Sequence, residues 1–348
     1  MAQGGTVRGL IIGVILLMLG GCTSLSYLHQ AWQGQREVMR LAVPIEDILA
    51  DPAADPDLQR RLALALEARE FASVQLALPD NPSYTRYSAL PRPYVLWNLF
   101  VTPELSVEPI EQCFPWLGCV GYRGYFAQAD AEAAAADWRA RGKQVFIGGV
   151  PAYSTLGWYD DPVLSSMLHW SDEELVRLIF HELAHQQVYV RNDTAFNESY
   201  ATFVEQQGLR EWRRLQGWPE PEATERQQQR EFVQLMLTAR EDLHNIYAQP
   251  LAADLLRSQR DQRFARLRED YANWRDQHWT GSARFDHWFS GELNNASLLP
   301  FGLYDQWVPG FAALFAAAGE DWSVFHAAVA DLGRRPADER HQVLQSYR

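Results

Sequence analysis

The string His181-Glu182-Leu183-Ala184-His185 constrains what this chain can fold into more than any other feature. Its polar residues act together only on a helix, which puts His181 and His185 one turn apart on one face. There both imidazoles can bind one metal ion, with Glu182 beside them to take a proton from a metal-bound water. The neighbouring residues support a helix from Ser171 to Val190. Ser171 can cap it, Glu174 completes a capping box, and Leu175, Ile179 and Leu183 form an apolar stripe with Val176 and Phe180 alongside. So apolar a helix is largely buried, and buried imidazoles are costly without partners. A metal ion supplies that partner; the alternative is a helix carrying two histidines satisfied by protein groups.

Catalytic zinc usually takes three protein ligands and leaves a fourth position for water. Asn192-Asp193 marks a turn, and Asn197 opens a second helix on which Glu198 and Glu205 compete for the third place. Glu198 lies in the string NESYA, similar to the ligand string of thermolysin-like gluzincins. Glu205 has 19 residues between it and His185, the thermolysin spacing. The local string favours Glu198, because loops change length cheaply. A first-turn acid facing the helix dipole would explain Glu198 without a metal.

Residues 1–21 read as a signal peptide. Arg8 precedes an apolar run from Leu10 to Leu19 that is too short for a comfortable membrane span. The run ends in Leu-Gly-Gly-Cys22, which resembles a bacterial lipobox and implies cleavage before Cys22 and lipidation there. Thr23 after the cysteine favours the outer membrane over the inner. An uncleaved signal anchor is the alternative. The expected product is a lipid-anchored, periplasm-facing chain with a polar tether over 22–35. Cys113 and Cys119 flank the loop FPWLG, and in an exported protein they are expected to form a disulfide; zinc ligation by the pair is the rival. A formal charge of −13 argues against nucleic acid or an anionic membrane surface as partner.

The rest, 36–348, reads as one α+β domain that is predominantly helical. Its N-terminal part is helical, broken by the turn from Asp51 to Asp57. A small sheet spans about 92–157, with Val95 to Val101 and Gln144 to Val150 as its clearest strands and a helix from Ala129 to Arg141 between them. Active-site helices follow at about 171–208. Arg210 to His278 reads as long antiparallel helices separated near Gln249-Pro250, their charges a solvated face. Gln144 to Val150 is the best candidate for an edge strand that adds an extended substrate to the sheet. The following segment from Pro151 to Pro162 would then lie near the cleft, its Asp160-Asp161-Pro162 an ordinary turn or part of the site.

Taken together, HELAHQ at 181–186, FNESYATFVE at 196–205 and AYSTLGWYDDP at 152–162 resemble the predicted bacterial zinc aminopeptidases that carry a lipoprotein signal. So do the cysteine loop followed by GYRGYF at 121–126, and NNASLLPFGLYDQWVPGF at 294–311. The resemblance implies a zincin fold of gluzincin type: an active-site helix pair with a small β-sheet and additional long helices. It implies one Zn(2+) per chain held by His181, His185 and Glu198, with Glu182 as the catalytic carboxylate. Hydrolysis also needs a donor to the developing oxyanion. Tyr304 is the candidate, with Asn295 as a substrate-binding partner and Tyr200 and His244 behind them. His169, His278, His287, His326 and His341 lack ligand spacing.

The leading expectation is therefore a zinc-dependent peptidase, in the resemblance an aminopeptidase, hydrolysing peptides at the periplasmic face. The alternatives are an envelope lipoprotein that uses the scaffold only for binding, or a zinc hydrolase of non-peptide substrates.

Overall fold

The computed structural model describes residues 27–114, 118–219, 223–278, 285–301 and 307–347. The fold is α+β and predominantly helical, as the sequence pattern predicts. The signal peptide and Cys22 lie outside the described residues.

Helix α1 covers 27–41 and runs into β1, Ala42–Pro44. The sequence reading placed a tether up to residue 35, yet 27–35 are helical and docked. Tyr27 packs edge-on against Tyr125, and Gln30 Oε1 accepts a hydrogen bond from Phe126 N at 3.1 Å. Tyr27, the first of these contacts, gives the segment an apolar anchor that its polar composition conceals. Helices α2, Ile45–Ala50, and α3, Pro56–Val74, follow, with Asp55 capping α3 by accepting from Leu58 N.

Strands β2, Arg86–Ser88, and β3, Leu96–Thr102, come next. The short strands β4, Gln112–Phe114, and β5, Gly118–Val120, pair as a hairpin. Strand β6, Tyr122–Tyr125, helix α4, Gln128–Ala140, and strand β7, Gln144–Val150, complete the middle of the chain. The order β6–β3–β7 is antiparallel throughout. One face carries α4 through Ala131, Ala135 and Val145; the other packs Phe100 against Ala296 and Leu299. Strand β7 is an edge, as expected, but its first residues are covered: Asn294 Nδ2 donates to Val145 O at 3.1 Å. A separate sheet has β1–β2 antiparallel and β2 parallel to β8, Val163–Leu164.

Helices α5, Asp172–Gln187, and α6, Thr194–Gln216, form the central pair. Helices α7, Ala223–Tyr247, and α8, Ala253–His278, run antiparallel, tied by Arg263–Asp242 near their junction and Trp274–Glu231 farther along. The short helix α9, Asp286–Ser290, follows, and α10, Val308–Ala317, α11, Trp322–Gly333, and α12, Ala337–Gln345, close the chain. The main core joins α3, α5, α6 and the last three helices. A second core lies between α7 and α8.

Candidate metal centre

The local sequence fixes α5 before any tertiary contact. Ser171 Oγ accepts from Glu174 N while Glu174 reaches back to Ser171 N, closing the capping box. Leu175, Val176, Ile179, Phe180, Leu183 and Ala184 are fully buried, which turns the His181–His185 face toward α6. Close approach of the two helices needs Gly208. A Cβ there would lie 2.6 Å from Leu76 Cδ1 and 3.1 Å from Phe180 Cδ2. The turn before α6 is held by Asn197, whose side chain accepts from Val190 N at 2.8 Å and donates to Val190 O at 2.7 Å. That clamp sets the start of α6 and with it the position of Glu198.

Three Lewis bases converge there. His181 Nε2 and His185 Nε2 are 3.1 Å apart, and Glu198 Oε2 lies 3.3 Å from the first and 3.7 Å from the second. Bonds of about 2.0–2.2 Å to a tetrahedral zinc ion put neighbouring donors about 3.3–3.6 Å apart. Two imidazoles and a carboxylate at these separations fit such an ion in type and in spacing. Burial by itself would lower His181, but hydrogen bonds to Glu198 and Glu205 raise it well above the usual imidazole range. Burial likewise pushes Glu198 up, and His185 and His181 outweigh it and hold the carboxyl far down.

Glu205 stands behind this group. Its Oε2 lies 3.1 Å from His181 Nδ1, and its Oε1 accepts from Arg177 Nη2. A carboxylate on Nδ1 orients the ring and would keep the proton there if Nε2 were to ligate a metal. His185 lacks such support: its Nδ1 is buried with no hydrogen-bond partner among the described residues. Glu182 is buried on the same helix turn, and burial raises its carboxyl above the usual range, with Glu198 and Glu205 adding and the histidines opposing.

The other expected residues are not gathered here. Tyr304 lies outside the described residues. Asn295 is fully buried and spent on structure: its N–H donates to Gln144 Oε1, its Nδ2 to Glu104 O, and its Oδ1 accepts from Tyr247 Oη. Its side chain is held inside the fold by Glu104 and Tyr247, which gives the expected substrate-binding role no support. Tyr200 hydrogen-bonds His326 Nδ1 at 2.8 Å, and His326 Nε2 donates to Leu76 O at 2.8 Å. Burial pulls His326 down to about 4. His244 is exposed beside Glu108. Cys113 and Cys119 are disulfide-bonded, so their sulfurs are not available as thiolate ligands beside Glu111.

Tyr84 is a residue the sequence reading did not single out. It is buried at a positive φ of 63°, and its hydroxyl has no hydrogen-bond partner among the described residues. Burial raises this phenol first, and the charge of Glu182 adds to it. Asp161, left open as turn or site, is 3 % exposed, and its Oδ2 accepts from Thr155 N at 2.8 Å. Burial pushes its carboxyl up to about 6, with Glu182 contributing. A tyrosine at positive φ leaves no local sequence signal; it is set by the tertiary fold.

A model of the family described as Putative aminopeptidase matches residues 26–344. No curated protein and no solved structure matches the chain.

Proposed function

Because the chain belongs to the Putative aminopeptidase family, we propose that it is a zinc-dependent peptidase whose metal is held by His181, His185 and Glu198. The observation that carries this reading is the convergence of those three donors at tetrahedral edge distances on a helix pair that also buries Glu182. Zinc, when bound, supplies a Lewis acid and makes water a nucleophile near neutral pH. Glu182 then acts as general base, taking the proton of the attacking water, and as general acid, returning it to the leaving amine. Glu205, steadied by Arg177, orients His181. A binding module with no chemistry has no use for a general base, which weighs against that reading.

The chain is further proposed to be lipid-anchored at Cys22 and to face the periplasm. Cys22→Ala should leave the membrane fraction or remain unprocessed; a variant still cleaved, acylated and membrane-bound would remove the anchor from the account. For the activity, zinc content should be measured together with cleavage of a mixed peptide library. One zinc per chain with peptide cleavage supports the proposal. Full zinc with no peptide cleaved favours a non-peptide substrate or a binding role.

A further inference from the structure

Two loops lie over the Glu182 face of α5. Gln186 stands one turn beyond Glu182, so the two side chains share that face. Its Oε1 accepts from Asn81 Nδ2 at 2.7 Å, and its Nε2 donates to Ser83 Oγ at 3.3 Å. The second loop reaches the same side chain: a Cβ on Gly157 would stand 3.8 Å from Gln186 Oε1. Tyr84 N donates to Asp161 O at 2.6 Å, continuing the parallel pairing of β2 and β8 and binding the loops together. The first loop carries Tyr84 and the second Asp161.

Four Asp or Glu side chains are buried among the described residues: Asp161, Glu182, Asp193 and Glu205. Asp193 is matched by Arg340, Glu205 by Arg177, and Glu182 has two imidazoles beside it. Asp161 has no cationic partner; its side chain receives only Thr155. A carboxylate kept out of water without a counter-charge gains most from a cation that comes from outside. The hydroxyl of Tyr84, buried and without a hydrogen-bond partner among the described residues, adds a second group able to accept a hydrogen bond.

We propose that Asp161 and Tyr84, whose loops are tied by the hydrogen bond from Tyr84 N to Asp161 O, form the subsite that receives the free amino terminus of a peptide substrate. The proposal rests on the peptidase reading and deepens it, making the enzyme an exopeptidase for chains with an unblocked ammonium group. Charge-assisted hydrogen bonds to such a group are the strong ones.

The probes are L-leucine amide and N-acetyl-L-leucine amide, titrated into the zinc-loaded full chain by calorimetry. The parent should prefer the free amine by about ten- to hundredfold, and Asp161→Asn should erase the preference while zinc content holds. Asn keeps an acceptor for Thr155 N, and Tyr84→Phe, which removes only a hydroxyl, should weaken the free amine several-fold. If Asp161→Asn does not fold, the Tyr84→Phe result decides. A parent with no preference, or one that survives Asp161→Asn or stands unchanged in Tyr84→Phe, overturns the proposal. In cleavage assays Asp161→Asn should raise KM for unblocked peptides and spare kcat. Asp161-dependent amine binding by a parent that cleaves no peptide upholds the subsite and rejects the peptidase reading.

Discussion

Asp193 and Glu198 stand five residues apart at the start of α6, and their surroundings are opposite in kind. Asp193 Oδ1 caps the helix by accepting from Phe196 N at 3.1 Å, and its Oδ2 accepts from Arg340 Nε and Nη2 and from His341 Nε2 at 2.6–2.9 Å. Every donor there meets an acceptor, and the acid meets a cation. Around Glu198 two imidazoles and a carboxylate share one spot instead: Nε2 of His181 and of His185 are 3.1 Å apart, and Glu198 Oε2 lies within 3.7 Å of both. The first cluster is an acid closed by cationic partners, whereas the second has the donor set proposed above for zinc. Burial alone does not separate structural polar groups from candidate ligands; the chemistry of their partners does.

The contrast can be broken by mutation. Glu198→Ala should have the largest effect, removing a ligand bond and lowering zinc affinity by more than about 100-fold while the fold persists, as read by metal titration and circular dichroism. Metal retention equal to the parent's would remove Glu198 from the ligand set. Arg340→Ala should do the reverse. It leaves Asp193 buried without its cation, at a cost of about 3–5 kcal/mol in urea unfolding. Zinc per folded chain should stay unchanged. Glu205→Ala should weaken zinc by about 10–100-fold, since it only orients His181; a loss greater than that of Glu198→Ala would exchange their roles. Ser171→Ala should be mildest, costing about 1 kcal/mol through the lost cap, with cleavage rates unaffected.

These regions also differ in how far the sequence foretold them. The capping box at Ser171 and the one-turn spacing of the histidines are local, and local geometry is readable from spacing. The choice between Glu198 and Glu205 was harder. Seven residues apart they share a helix side, and only the Asn197 clamp and the Gly208 approach decide which one meets Nε2 and which Nδ1. Non-local partners were not readable. Asn295 sits in a promising string, yet its contacts come from residues 48 to 191 positions away. Tyr84 and Asp161 meet only because β2 and β8 pair in parallel, and the helicity of 27–35 depends on a docking surface formed by β6.

In the proposed mechanism Glu182 moves the proton while its neighbours hold the metal. Glu182→Gln keeps the size of the side chain and removes the base. Zinc content and peptide cleavage should be measured on the same preparation. Zinc should stay at the parent's occupancy while hydrolysis falls by at least about 10²–10⁴-fold. Cleavage near the parent's rate, with zinc bound, would contradict it.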